Sequence, residues 1–254
     1  MTRFLASIAS VEELPAVLEG GADLIDVKDP GTGALGAANL DTIRSIVRDV
    51  AGRRPVSATL GDLPMDPALL VASARRTAAA GVAFVKAGIF PGGDAATCIA
   101  ALGAVAAEGV RLVAVLFADR SPHVALLDWI AEAGFAGAML DTAGKGDGAL
   151  PDHLPTERLR DFVQRAKSLG LMTGLAGSLR LEHVAPLAAL GPDYLGFRGA
   201  LCAGGRTSRI EAARVRQVRQ ALDAASSATA AAGALIAAAS RASGAPSTSS
   251  AKSR

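Results

Sequence analysis

Eight short apolar runs, each followed by a longer stretch of helical period, fill the first 222 residues and leave few folds open to the chain. The runs are rich in Val, Leu, Ile and Phe and cover 4–8, 24–28, 56–60, 83–87, 112–117, 136–141, 172–176 and 194–198. The helical stretches cover 11–19, 40–50, 67–79, 95–108, 124–133, 156–169, 179–189 and 210–222. Ser10-Val-Glu-Glu13 and Ser208-Arg-Ile-Glu211 read as capping boxes at two of the starts. Gly20, Gly81, Gly109, Gly134, Gly170 and Gly191 stand where helices should stop. Eight strand–helix units in about 220 residues is the arithmetic of an α/β fold of the (β/α)8 TIM-barrel type, here a single domain over 1–222. An open doubly wound sheet competes, but the first turn lacks Gly-x-Gly-x-x-Gly and the alternation runs without a break. Residues 223–254 are mostly Ala, Ser, Thr and Gly, the composition of a low-complexity C-terminal tail, disordered or partly helical. A frayed helix fits 224–240; the stretch from Ser243 has no means of building a core, and no catalytic part is expected of the tail.

The bulk properties exclude several classes. No apolar run reaches the roughly 18 residues of a membrane span. Arg3 and a short apolar stretch open the chain, but Glu12 and Glu13 follow at once, the pattern of a first strand rather than a signal peptide. Cys98 and Cys202 make no disulfide framework, which suits a reducing cytosol, so a cytoplasmic protein is expected. A net charge of +2 argues against a nucleic-acid partner. His123, His153 and His183 show no metal-ligand spacing, so no metal is expected. They read as surface or loop residues, Trp129 as core, and Arg214, Arg216 and Arg219 as a solvated helix face.

Charge falls where buried strands should carry none. The second run ends in Asp26 and Lys28, the fourth in Lys86, the sixth in Asp141 with Lys145 four residues on, the eighth in Arg198. Asp26 and Lys28 share one side of a strand by period two. Alternate strands of such a barrel fill one layer, and its functional end is the C-terminal one, so these side chains should converge. Only five of the 26 basic residues are Lys, and three of those five are in this set. Arg stays charged at neutral pH, whereas a buried Lys gives up its proton, so the choice of Lys points to a need for a free amine. A neutral amine adds to a carbonyl to form an imine, and burial with nearby cations supplies the depressed pKa. Asp26 and Asp141 are placed to shuttle protons or to hold one amine charged. The bland reading is a salt-bridged interior of Asp26–Lys28 and Asp141–Lys145 pairs.

The loops after the seventh and eighth strands read as a phosphate cradle: Gly177 and Ser178, then Arg198, Gly199 and Ala200, with Gly204-Gly205-Arg206 beyond. The loop 29–36 is a third glycine-rich turn. Ser57 and Thr59 read as polar lining, Asp119 as a further candidate for the pocket, and the loop 142–153 as a lid over Lys145.

Taken together, Gly20-Gly-Ala-Asp-Leu-Ile-Asp-Val-Lys-Asp-Pro30, Val56-Ser-Ala-Thr59, Met139-Leu-Asp-Thr142 with Lys145, Leu175-Ala-Gly-Ser178 and Gly196-Phe-Arg-Gly-Ala200 resemble the (5-formylfuran-3-yl)methyl phosphate synthase family over about residues 3–220. The resemblance implies a (β/α)8 barrel that condenses two glyceraldehyde 3-phosphate molecules to a furan aldehyde phosphate, with loss of phosphate and water, in methanofuran-type cofactor biosynthesis. It implies Lys28 as the imine-forming lysine, Lys86 as proton acceptor, and Asp26, Asp141 and Lys145 in proton transfer and elimination. No cofactor is implied. The expected partner is a phosphorylated triose, with no membrane partner, and a homo-oligomer is the expected assembly. Three alternatives stay open: a sugar-phosphate decarboxylase barrel, a simple aldolase, and a phosphate-binding scaffold without activity. Asp26-Val-Lys28 also resembles the Asp-x-Lys of the decarboxylases, but Gly31 stands where that group carries a further Asp.

Overall fold

The computed structural model describes residues 1–242. Its eight parallel strands are β1 (Arg3–Ile8), β2 (Leu24–Val27), β3 (Val56–Thr59), β4 (Phe84–Gly88), β5 (Leu112–Phe117), β6 (Gly137–Asp141), β7 (Met172–Leu175) and β8 (Tyr194–Phe197). They close in sequence order, with β8 hydrogen-bonded back to β1. Between and after them run α1 (Leu14–Glu19), α2 (Leu40–Val50), α3 (Pro67–Ala78), α4 (Ala95–Ala107), α5 (Leu126–Glu132), α6 (Leu150–His153), α7 (Thr156–Ser168), α8 (Val184–Ala188) and α9 (Ala212–Ala242). The eightfold alternation is therefore a (β/α)8 barrel, and each strand lies within a residue or two of its expected run.

Two apolar layers hold it. The larger joins outward-facing strand residues such as Ile25, Val27 and Ala58 to inward-facing helix residues such as Ile43, Ile46 and Leu70. The smaller fills the barrel interior with Leu5, Leu24, Phe84, Val113, Met139 and Tyr194. Asn39, Asp66 and Asp94 cap α2, α3 and α4 by accepting N–H groups from Thr42, Leu69 and Thr97.

Neither expected capping box forms. Ser10 precedes a 3-10 turn, Val11–Glu13, without a side-chain cap bond. Glu13 accepts the Ala9 N–H instead and pairs with Arg198. Ser208 closes its own turn through Gly204 and Gly205, so the last helix starts later, at Ala212. Trp129, expected in the core, is 46% exposed on α5. Arg219, expected in solvent, pairs with both Asp23 and Asp223.

The helix expected over 210–222 and the frayed helix expected over 224–240 form one continuous helix. α9 runs 31 residues, about 46 Å, and Ala225 packs on the core beside Leu222. Ala continues a helix as readily as any residue, so the backbone follows propensity across the boundary. The expectation for 243–254 lies outside the described residues.

Candidate active site

The barrel interior changes character along its axis. On β2, β4 and β6, the apolar Leu24, Phe84 and Met139 are each followed two residues later by Asp26, Lys86 and Asp141. Period two keeps all of these on the inner face. Asp26, Lys86 and Asp141 are fully buried in effect, and Lys28, just past β2, is 8% exposed. They line a cavity of about 490 Å³ at the C-terminal ends of the strands. Lys145, Gly177, Ser178, Arg198, Gly199 and Ala200 line the same cavity, so the five charged catalytic candidates and five residues of the expected phosphate cradle meet at one place.

Inside it the charges are sorted into two pairs and a remainder. Lys86 Nζ lies 2.8 Å from Asp26 Oδ1. That oxygen also accepts from Ser57 Oγ at 2.7 Å, and Oδ2 accepts from Ser7 Oγ at 2.9 Å. Strand register aligns Ser7, Asp26 and Ser57 across β1–β3, so three adjacent strands build one carboxylate site. On the far side, Lys145 Nζ lies 2.6 Å from Asp141 Oδ1, which also accepts the Thr142 N–H at 2.7 Å. Lys28 forms an ion pair with neither carboxylate. The bland pairing of Asp26 with Lys28 is thus not the one adopted.

The protonation states follow. Burial opposes ionisation of Asp26, but Lys86 and Lys28, with hydrogen bonds from Lys86 and Ser57, outweigh it and hold the carboxyl below its ordinary value. Asp141 behaves alike, with burial overcome by Lys145, Lys28 and the Thr142 N–H. Burial is the largest influence on Lys28 and pushes its amine down to about 8. Asp141 and Asp26 pull it up, while Lys145 and Lys86 push it further down. Two carboxylates kept ionised and one amine poised to lose its proton give a site able to form an imine and move protons around it.

The loops fix the rim. Thr59 Oγ1 bonds the Leu35 carbonyl, and Asp62 accepts the N–H groups of Ala34 and Leu35, so the β2 loop beyond Lys28 is tied to β3 and its loop. Gly177 holds φ +109°, and a Cβ there would sit 2.8 Å from the Thr142 methyl, so only glycine lets the β7 loop approach the β6 loop this closely. Arg198 lies in the cavity wall but is engaged by the protein. Its guanidinium donates to Arg206 O, Ser7 O, Ser208 O and Glu13 Oε2. The Arg198–Glu13 pair, 2.6 Å apart, is buried on both sides. It makes Arg198 the hub of the β8 loop rather than a free anion ligand, as a buried cation needs such partners. Arg206, half-buried, bridges from that loop to the Gly33 carbonyl and faces the cavity. Asp119, expected as a candidate for the pocket, does not line it; its carboxylate accepts the N–H groups of Ala143 and Gly144.

Sequence reasoning did not find Glu13, Ser7 or Asp62. Ser7 carried a usable signal, two residues beyond inward-facing Leu5 on β1; Glu13 and Asp62 carried none, as their partners are remote in sequence. Among the described residues no cluster of three His, Cys, Asp or Glu is arranged to hold a metal, and no helix is long and apolar enough to cross a membrane.

Comparison with known proteins agrees in fold and in sequence. Phosphoribosyl anthranilate isomerase from Thermus thermophilus superposes with a TM-score of 0.64 at 15% identity, covering 88% of this chain and 99% of that one. 3-Hexulose-6-phosphate synthase from Salmonella typhimurium gives 0.64 at 17% identity, covering 87% and 98%. At such identities the likeness is one of fold alone. A protein of Methylorubrum extorquens, provisionally named a (5-formylfuran-3-yl)methyl phosphate synthase, is 44% identical over 217 residues, covering 85% of this chain and 89% of that one. The (5-formylfuran-3-yl)methyl phosphate synthase of Methanothermobacter thermautotrophicus is 35% identical over 230 residues, covering 84% and 95%. A family model described as 4-HFC-P synthase matches residues 4–219, the whole barrel, and the chain belongs to that family.

Proposed function

We propose that the chain joins two molecules of glyceraldehyde 3-phosphate into (5-formylfuran-3-yl)methyl phosphate through an imine on Lys28. The observation that carries this reading is the sorting of charge: Lys86 and Lys145 each hold a carboxylate, and Lys28 between them is left as the amine that loses its proton near pH 8. The amine adds to the carbonyl carbon of one triose, and the protonated Lys86 gives its proton to the hydroxyl that leaves as water. Lys86, now neutral, takes the proton from the carbon beside the imine, and Asp26 at 2.8 Å stabilises the ammonium that re-forms. The resulting enamine carbon attacks the aldehyde of the second triose. Asp141 and Lys145 then serve the ring closure, in which a hydroxyl of the second triose replaces the Lys28 amine at the carbon it holds and frees the lysine, and the eliminations, Lys145 as the acid for departing groups. In all, the two trioses lose one phosphate and two waters.

The rim supports a doubly anionic load. Seven cations line the cavity against three carboxylates, in a chain of net charge +2. Gly177 and Ser178 on one side, and Gly199 and Ala200 on the other, present small residues that let backbone N–H groups approach a phosphate. Arg198 shapes that cradle by holding the β8 loop, and Arg206, tied to the Gly33 carbonyl, supplies a further positive charge beside it.

Supplying the purified chain with glyceraldehyde 3-phosphate alone tests the proposal. A furan-aldehyde absorbance rising with one phosphate released per furan is expected. Phosphate release without the chromophore, or a reversible aldol product that keeps both phosphates, would contradict it.

A further inference from the structure

Lys145 sits on a loop that should not hold it still. Between Thr142 and Gly148 the chain has three glycines, Gly144, Gly146 and Gly148, and such a segment has little conformational preference of its own. Lys145 Nζ is nonetheless 2.6 Å from Asp141. The restraint comes from the neighbouring strand. β5 and β6 pair so that Phe117 lies beside Asp141, and the 3-10 turn Ala118–Arg120 that follows β5 carries Asp119 to the base of the loop. One Asp119 oxygen accepts the Ala143 N–H at 2.8 Å and the other the Gly144 N–H at 2.8 Å. Burial would raise this carboxyl, but the two main-chain N–H groups outweigh it and keep it ionised. Asp119 itself does not reach the cavity.

We infer that Asp119 is a positioning residue for the reaction: it ties the 142–148 loop to the end of β5 and thereby keeps the Lys145 ammonium on Asp141. This rests on the role of Lys28 given above, because the consequence is felt there. Lys28 is faced by Asp26 on its own strand, by Lys86 from β4, and by Asp141 and Lys145 from β6 and its loop. With the tie cut, Lys145 leaves Asp141 for part of the time. The exposed Asp141 charge then favours the protonated form of Lys28, and the cavity loses its acid on that side.

The test is a double-mutant cycle of Asp119→Asn with Lys145→Met, with Asp119→Ala as a second variant. Three measurements are made on the full chain: hydrogen exchange of the 142–148 peptide, the pH dependence of Lys28 acylation by an amine-directed reagent mapped by mass spectrometry, and turnover. In Asp119→Asn the loop amides exchange about tenfold faster or more. The Lys28 midpoint moves to higher pH from about 8, and kcat falls roughly 10- to 100-fold with little change in KM. In the Lys145→Met background, Asp119→Asn changes neither the midpoint nor kcat further, since Asp119 acts only through Lys145. Unchanged loop exchange, or a full second loss of kcat on top of Lys145→Met, would overturn the inference. A wild-type Lys28 midpoint in the ordinary lysine range would instead count against the reading of Lys28, and the exchange and turnover arms would still decide the role of Asp119.

Discussion

A buried amine without a carboxylate of its own binds its proton more weakly in the folded chain than in the unfolded one. For Lys28 the two values are about 8 and 10.5, so between them the unfolded state holds more protons and stability rises with pH. Below about 8 the full penalty applies, on the order of 3 kcal/mol. Lys28→Met should therefore be more stable than the parent chain at pH 7, with the gap narrowing toward pH 10, while turnover is lost. Asp26 and Asp141 keep their own partners, Lys86 and Lys145, so the substitution strands no charge. Urea denaturation at both pH values checks this; a variant less stable at pH 7 would show that Lys28 is a structural cation. The five charged residues of the site were legible because strand period marks Asp26, Lys28, Lys86 and Asp141, and the sparing use of Lys marks Lys28, Lys86 and Lys145. Ser7 was marked only by its strand period, two residues beyond Leu5, and Glu13 by nothing, because its partner is remote in sequence. Glu13 meets Arg198 across 185 residues of sequence.

Among the elements, β8 and its loop show how a position can be read from sequence without its partners. Arg198 ends a strand at the phosphate-binding end, as the sequence indicates, yet four protein acceptors already engage it. Glu13 in turn serves Ala9, Arg198 and Ile210. Arg198→Met leaves Glu13 buried without its cation, which costs about 3–5 kcal/mol by the usual penalty for breaking a buried pair. Adding Glu13→Gln to Arg198→Met should restore part of that loss; a double variant less stable than Arg198→Met would refute the pairing account. The same residue explains the failed capping box. A Ser-x-x-Glu pattern signals a helix start only if its Glu is not needed elsewhere, and local sequence does not report that Glu13 is. Strand positions, by contrast, follow from hydrophobic periodicity alone, and all eight were recovered to within a residue or two.

For the molecule as a whole, closing eight strands in order puts the ends of β2, β4, β6 and β8 around one opening, so Asp26 and Arg198, 172 positions apart, share a cavity. The count of units made this closure foreseeable. The boundary at 222 was not foreseeable from composition, because Ala-rich sequence is compatible with both an end and a continuation of the last helix. Truncation after Ala228 should keep both activity and thermal stability. Truncation after Leu222 should keep activity but lower Tm, since it removes the Arg219–Asp223 pair and the Ala225 contact with the core. Loss of turnover in the shorter chain would assign residues 223–254 a part in the chemistry.

The central claim is that Lys28, and no other lysine of the cavity, becomes the covalent nucleophile. Borohydride reduction in the presence of glyceraldehyde 3-phosphate, followed by intact and peptide mass measurement, addresses it directly. One triose adduct on the peptide containing Lys28, absent from Lys28→Arg, is the predicted result. An adduct on Lys86 or Lys145 instead, or a wild-type mass that does not change, would contradict it.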